Sequence, residues 1–248
     1  MRYAAMCVPA LLILSSIAAT EPIVPDADTP TYECHRATSP IVIDGYLEDP
    51  AWHHAATTKP FVFPWPDQQG RKQMTIARLL WDDDNLYVCY DCDDTDLTAE
   101  YTERDDPVYK DDCVEIFLAP APDKSRFYCG FEMNCRGALY DYFYAFPDVL
   151  LTLWETGAVR LKTVMYGTLN QSEDKDDGWT LELCIPWSNF AEPAGKPRPE
   201  PGDVWRMNMN RWDGSGDARA LSQWSPSGLQ SPHPHRPEGF GALVFLAE

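Results

Sequence analysis

Short stretches rich in β-branched and aromatic residues follow one another along most of this chain, separated by turn residues. Residues 74–81 and 86–92 form one such pair, joined by the acidic run 82–85. Stretches of this length that end in Asp, Asn or Gly are typical of β-strands in hairpins. About ten of them, with no repeat of fixed period, predict an all-β fold: a single β-sandwich, jelly-roll or immunoglobulin-like, of antiparallel strands.

One helix start stands out from the strand pattern. Asp49 is typical of a helix N-cap, and Pro50 is typical of a first helical turn. The helix is expected to run through Trp52 to Ala56. The sequence therefore predicts one short N-terminal helix beside the strands.

The first residues have the composition of a secretory signal. Arg2 is followed by an apolar stretch, residues 8–17, and then by small residues. This stretch is shorter than the ~20 residues that span a bilayer. We expect residues 1–20 to be a signal peptide, residues 21–39 an extended arm and residues 40–248 one domain. The mature protein is then secreted, periplasmic or extracellular, without a membrane anchor.

The formal net charge of −19 limits the choice of partner. Nucleic acid and anionic membranes bind basic patches, so both are excluded as expected partners. The excess of acids suits calcium binding, solubility or a hydroxyl-rich ligand, and composition leaves these three open.

Cysteine spacing argues against a zinc site. Cys89 and Cys92 have zinc-like spacing, but residues three apart on a strand point to opposite faces, and no second such pair exists. Beyond the predicted signal peptide the number of cysteines is odd, so at least one does not pair within the chain. Buried thiols and one to three disulfides remain open.

Two predicted strands alternate between apolar and polar side chains. Glu132 and Asn134 share one face of the first, and Arg206, Asn208 and Asn210 share one face of the second. Asparagine is disfavoured in strands, which favours a functional role over an ordinary solvated face. Such a face offers hydrogen-bond donors and acceptors, as sugar hydroxyls require.

A set of short motifs extends in order across most of the chain beyond the arm. They are Ile43-Asp44-Gly45, Asp49-Pro50-Ala51-Trp52, Ala77-Arg78-Leu79-Leu80-Trp81, Asn85-Leu86-Tyr87-Val88, Asp112-Cys113-Val114-Glu115-Ile116-Phe117, Phe131 to Asn134, Gly178-Trp179-Thr180-Leu181-Glu182, Ile185-Pro186-Trp187, Trp224-Ser225 and Phe240-Gly241. In this order they resemble the family 9 carbohydrate-binding modules. The resemblance implies a sandwich that holds a sugar between two aromatic rings.

The polar contacts that the resemblance implies are partly kept. Glu115 falls on the family's sugar-binding glutamate, and Asn134 falls on its asparagine. Glu132 stands where an arginine is typical, which reverses the charge at that position.

The tryptophans that usually clamp the sugar in such modules are absent from their expected positions. Tyr109 is the nearest ring to the first position. Around the second position, the expected ligand contacts are His235, Arg236, Arg211 and Trp212. Trp65, in a proline-flanked loop, and Trp212 are the first candidates for a replacement stacking ring. The arginines favour an acidic or modified sugar.

The resemblance also implies structural calcium. Loop carboxylates supply the oxygen ligands that calcium prefers, although no EF-hand spacing is present. The ligands expected here are Asp94, Asp96 and Asp112.

The expected function is non-catalytic binding of an oligo- or polysaccharide, by a monomer that works beside glycoside hydrolases. Glu115 and Glu132 are the carboxylates that a glycosidase would need to pair, but the resemblance is to non-catalytic modules. Two alternatives remain, a protein-interaction sandwich and a b-type haem module. The axial haem ligands would come from Met133, Met207, Met209 or His235.

Overall fold

Strands account for most of the regular structure in the computed structural model, which describes residues 29–121, 127–145 and 149–247. The predicted signal peptide and residues 21–28 of the predicted arm lie outside the described residues. The strands are β1 Thr31–Arg36, β2 Thr75–Trp81, β3 Asn85–Asp93, β4 Cys113–Ala119, β5 Phe127–Asn134, β6 Leu139–Ala145, β7 Val149–Leu151, β8 Arg160–Tyr166, β9 Gly178–Pro186, β10 Val204–Asp213, β11 Ala220–Gln223 and β12 Gly241–Phe245.

The strands form one curled mixed sheet in the order β7-β6-β5-β4-β10-β12-β1-β2-β3-β9-β8, and β11 pairs with β10. The prediction of an all-β fold is confirmed. The prediction of a wholly antiparallel arrangement is wrong, because β1 is parallel to both of its neighbours, β12 and β2. β1 comes from the predicted arm, and its partner strands β12 and β2 lie far from it in the sequence. No hairpin turn connects β1 to either partner, so the local sequence does not indicate this pairing.

The predicted N-terminal helix is a 3-10 helix at Pro50–His54. Asp49 does not cap it with its side chain; the Asp49 carboxylate instead accepts a hydrogen bond from the backbone N–H of Val42 at 2.8 Å. Further short helices in the described residues are Val108–Lys110, Trp187–Asn189, α1 at Ala191–Ala194, Gly216–Ala218 and Pro237–Gly239. Within the same residues, no helix has the length and apolar character that a membrane crossing requires.

One hydrophobic core joins the two halves of the curled sheet. Ile116 of β4 and Val88 of β3 belong to it although their strands lie far apart in the sheet order. The rings of Trp81, Trp205 and Phe245 meet edge to face, with centroids 5.2 Å apart for Trp205–Phe245 and 5.4 Å for Trp81–Phe245. Burial of this apolar surface, at about 25 cal/mol per Å², holds the sheet curled. The faces turned away from the core remain free to build a site.

Every cysteine in the described residues is buried and unpaired. Of the two alternatives that the sequence left open, the structure therefore has buried thiols. Burial raises the pKa of Cys89 to about 12, so this thiol stays protonated and unreactive at neutral pH.

Candidate functional site

A row of polar side chains crosses four neighbouring strands on the face turned away from the core. Asn210 of β10 is opposite Glu115 of β4, Glu115 is opposite Glu132 of β5, and Glu132 is opposite Tyr140 of β6. Directly opposed residues point to the same side of a sheet, so these four side chains project together. Side chains alternate between the two faces along a strand, so the sequence neighbours of these four residues point the other way. Val114, next to Glu115 on β4, accordingly lies in the core.

A cavity of about 280 Å³ opens above this row. Its lining residues are Tyr109, Glu115, Glu132, Tyr140, Tyr142, Tyr144, Leu150, Trp212, Arg219, His233, Pro234 and His235. Five predicted site residues thus come together here: Tyr109, Glu115, Glu132, Trp212 and His235. The volume is near the lower end of the roughly 300–1,000 Å³ usual for ligand sites, which suits a small ligand.

The two glutamates form the polar floor of the cavity. Glu115 is 1% exposed and Glu132 is 3% exposed, and in each carboxylate the Oε2 atom has no hydrogen-bond partner. The Oε1 atom of Glu132 accepts a hydrogen bond from the Tyr142 hydroxyl at 2.8 Å. The Tyr142 ring lies across Gly130 to reach Glu132. A Cβ atom at position 130 would come within 2.3 Å of the ring. The floor therefore presents two unsatisfied acceptors to a ligand.

Burial makes both glutamates weaker acids than free glutamic acid. Desolvation raises the pKa of Glu132 to about 7. Desolvation also raises the pKa of Glu115 well above its ordinary value, and the nearby charge of Glu132 raises it further. Arg219 acts in the opposite direction on both. The pair can therefore gain or lose a proton near neutral pH.

Arg219 and Trp212 form one wall. The Arg219 guanidinium lies 4.1 Å from the centroid of the Trp212 ring, a cation–π contact. Its Nε and Nη2 atoms are buried and have no hydrogen-bond partner. This wall offers donors to a ligand, and the ring face that the sequence suggested for stacking is already covered by an arginine.

His235 contributes a flat, uncharged surface to the opposite wall. Its Nδ1 atom is hydrogen-bonded with the Tyr128 hydroxyl at 2.6 Å. Its ring is stacked against Phe117 and Tyr144, with centroids 5.1 Å and 5.4 Å away. Burial lowers the pKa of His235 to about 3, so the imidazole is neutral at ordinary pH.

Four predicted site residues lie outside the cavity. Asn134 is buried and donates to the Tyr101 carbonyl oxygen and to Asp111, both at 2.8 Å. Trp65, which its loop suggested would be exposed, is buried and donates its indole N–H to a backbone carbonyl. Arg236 donates to a backbone carbonyl, and Arg211 pairs with buried aspartates. With both arginines engaged elsewhere, the expectation of an acidic sugar loses its basis.

The sequence interpretation did not select Arg219 or the tyrosines of β6. Tyr140, Tyr142 and Tyr144 occupy every second position of that strand, and this period of two is the signal that would have found them. Arg219 had no comparable signal, because it comes from a loop before β11 and reaches the cavity only through the fold.

A second polar group consists of Asp94, Asp112 and Asp213. Each offers one carboxylate oxygen, and these oxygens lie within 4.8 Å of one another. The Nη2 atom of Arg211 contacts Asp94 at 2.9 Å and Asp213 at 3.0 Å. Burial, followed by the charges of Asp94 and Asp213, raises the pKa of Asp112 to about 7. Of the predicted calcium ligands, Asp96 lies outside this group and donates its backbone N–H to Asp94.

The methionines considered as haem ligands all lie in the hydrophobic core. Met133, Met207 and Met209 are fully buried and pack among apolar side chains. Such methionines fill core space, which is their usual role.

Comparison with known proteins adds independent information on the family and the fold. The family model described as carbohydrate family 9 binding domain-like matches residues 43–244. No curated protein matches the chain.

Solved structures share the fold over most of the chain. A candidate carbohydrate-binding protein from Bacteroides uniformis ATCC 8492 aligns with a TM-score of 0.72 and 21% identity, over 88% of this chain and 99% of that one. A family 9 carbohydrate-binding module from Caldicellulosiruptor kristjanssonii in complex with cellotriose aligns with a TM-score of 0.60 and 19% identity, over 88% and 95%. The same module in complex with glucose gives 0.61 and 18%, over 87% and 96%.

Proposed function

The chain belongs to the carbohydrate family 9 binding domain-like family, and from this premise we propose that it binds a carbohydrate without catalysing its conversion. The binding site in this proposal is the cavity above β4, β5, β6 and β10. The Caldicellulosiruptor module of similar fold is in complex with cellotriose and with glucose, which supports a sugar as the ligand.

The observation that carries the proposal is the set of unpartnered polar atoms inside an aromatic cavity. Glu115 and Glu132 present free acceptors, and Arg219 presents free donors. A sugar hydroxyl both donates and accepts, so neighbouring hydroxyls can satisfy the two kinds of atom at once. The rings of Tyr109 and Tyr140, with centroids 6.0 Å apart, add flat apolar surface for the C–H face of a sugar.

The placement of the two carboxylates argues against glycoside hydrolysis. A glycosidase needs its two carboxylates on either side of the bond that it breaks. Glu115 and Glu132 are directly opposed on adjacent strands, so they approach a ligand from the same side. This arrangement holds a sugar and does not flank a glycosidic bond.

A pair of tyrosine variants tests the proposal. Tyr109 is 38% exposed at the cavity, and Tyr166 is 45% exposed at the far edge of the sheet, on β8. We expect a glycan array to show binding by the wild-type chain and by Tyr166→Ala, and strongly reduced binding by Tyr109→Ala. Absence of binding to any glycan, together with no turnover of chromogenic glycosides, would leave a protein-interaction role instead.

We also propose that Asp94, Asp112 and Asp213 hold a structural calcium ion. Carboxylate oxygens are suitable calcium ligands. Arg211 offsets only part of the charge of these three buried side chains, so a divalent cation would relieve the remainder. The ion would contribute to stability and takes no part in sugar binding, because none of the three lines the cavity.

The remaining expectations form part of the same proposal. The core shared by both halves of the curled sheet supports a sandwich arrangement with β1 at the fold line.

The N-terminal sequence supports export. A basic residue, Arg2, is followed by the apolar residues 8–17 and the small residues 17–20, which is the order of a secretory signal. In an oxidising compartment, burial protects the unpaired thiols. We propose that the exported monomer works beside glycoside hydrolases that act on the same carbohydrate.

A further inference from the structure

The buried charges of the cavity do not balance. Glu115 and Glu132 carry two potential negative charges, and Arg219 is the only lysine or arginine among the described residues that line the cavity. Two histidines, His233 and His235, also line the cavity. The His235 ring adds no charge, because burial lowers its pKa to about 3, and His233 is counted here in its neutral form. When both glutamates are ionised, the binding surface therefore has an excess of one negative charge.

The geometry concentrates this excess between the two glutamates. Their positions are directly opposed on β4 and β5, and each leaves one buried oxygen without a partner. The Tyr142 hydroxyl donates a hydrogen bond to the other oxygen of Glu132, Oε1. Arg219 makes no hydrogen bond to either carboxylate through Nε or Nη2. Buried and unpaired carboxylate oxygens on two directly opposed residues are costly unless the carboxylates share a proton or receive a cation.

The surroundings suit a cation on a small ligand. Tyr109, Tyr140 and Tyr142 line the cavity on the side of Glu132, and Tyr140 is directly opposite it. Aromatic faces attract cations, most strongly where water is excluded. A cationic ligand would find carboxylates below it and rings around it.

We propose that the cavity prefers a sugar with a free amino group, a hexosamine whose ammonium lies between Glu115 and Glu132. This inference rests on the proposed carbohydrate binding and assigns the class of sugar. An ammonium has three N–H donors, enough for both free carboxylate oxygens. With a neutral hydroxyl at that place the two glutamates have to share a proton, and no charge-assisted hydrogen bond forms. N-acetylation removes the cation, and a uronic acid adds a third carboxylate.

Binding of four monosaccharides to the full chain tests the proposal. The probes are glucosamine, glucose, N-acetylglucosamine and glucuronic acid, measured by calorimetry at low salt near pH 7, where amines are largely protonated. We expect glucosamine to bind about tenfold more tightly than glucose, since charge-assisted hydrogen bonds are roughly twice as strong as neutral ones. Raised salt should reduce this advantage.

Two variants assign the effect to the glutamate pair. Glu132→Gln should weaken the binding of glucosamine more than that of glucose, so that the preference for glucosamine falls to about twofold or less. Glu173→Gln removes the same charge from an exposed position and should leave the preference unchanged. The comparison of ligands on the wild-type chain remains decisive even if Glu132→Gln folds poorly.

The outcomes separate this inference from the function on which it rests. Equal affinities for glucosamine and glucose, or tighter binding of N-acetylglucosamine or glucuronic acid, would overturn the amino-sugar preference and leave carbohydrate binding intact. Absence of binding by all four monosaccharides, and by every glycan on an array, would overturn both.

Discussion

The carboxylate of Glu182 accepts hydrogen bonds from three donors in the segment 44–52. It accepts the backbone N–H groups of Asp44 and Gly45, both at 2.9 Å, and the indole N–H of Trp52 at 2.8 Å. Gly45 has a φ of +89°, which a residue with a side chain rarely adopts. These contacts give a structural reason for the motif Ile43-Asp44-Gly45: it fixes the 3-10 helix at Pro50–His54 against β9.

We expect Glu182→Gln to destabilise the protein although it changes the side chain by one group. An amide has one acceptor oxygen, so its NH₂ would face either the backbone donors or the indole N–H. A buried donor left without an acceptor costs about 1–3 kcal/mol. Urea unfolding should show a loss in this range for Glu182→Gln and almost none for the exposed Glu173→Gln. Equal stability of the two variants would contradict the argument.

Gly130 tests the link between backbone space and the cavity. A Cβ atom at this position would lie 2.3 Å from Cζ of Tyr142, so Gly130→Ala must displace the ring and its hydrogen bond to Glu132. We expect a loss of about 1–3 kcal/mol in stability, the usual cost of overpacking, and weaker sugar binding. Gly157→Ala is the control, because nothing lies within 4 Å of a Cβ atom there. Unchanged sugar binding by Gly130→Ala would show that the position of the Tyr142 ring does not affect the site.

At the scale of elements, the sequence predicted best what local alternation decides. Glu132 lies on the polar face of β5 as the alternation indicated, and Glu115 meets it across β4. Alternation also puts Arg211 on the face opposite Asn210, which is why it reaches Asp94 and not the cavity. The parallel position of β1 depends on contacts distant in the sequence, which local patterns do not contain.

The pairing of β4 with β5 places the buried glutamates Glu115 and Glu132 side by side, and their raised pKa values predict how stability depends on pH. The pKa of Glu132 is raised from 4.5 to about 7, so between these values the folded chain binds more protons than the unfolded chain. Stability is then greatest at the low end of this window and falls as pH rises through about 7, by on the order of 1 kcal/mol per pH unit. The groups around Glu132 are Glu115, Tyr142 and Arg219, and Glu115 shifts in the same direction.

Melting curves between pH 5 and pH 8 measure this dependence. The melting temperature of the wild-type chain should fall across the range, and Glu132→Gln should flatten the curve because its amide does not titrate. Glu115, whose pKa is raised chiefly by burial, keeps part of the slope in that variant. A melting temperature that rises with pH in the wild-type chain would contradict the prediction.

The whole molecule is held together by groups that connect the two halves of the curled sheet. β1 joins them through its parallel pairings, and the core fills the space between them. Asp94 follows β3 in one half, whereas Asp112 precedes β4 and Asp213 ends β10 in the other. The three aspartates thus form a polar connection between the halves, and a bound cation would strengthen it.

Removal of calcium should therefore lower the stability of the whole molecule. A ligand that binds only the folded state contributes RT ln(1 + [L]/Kd), which is about 2.7 kcal/mol at one hundred times Kd. We expect a chelator to lower the melting temperature of the wild-type chain by several degrees and added calcium to restore it. Asp213→Asn should abolish the response to calcium, whereas Asp217→Asn, which changes an exposed acid nearby, should keep it. A melting temperature that is indifferent to both chelator and calcium would mean that Arg211 and the surrounding hydrogen bonds are sufficient to hold the three carboxylates together.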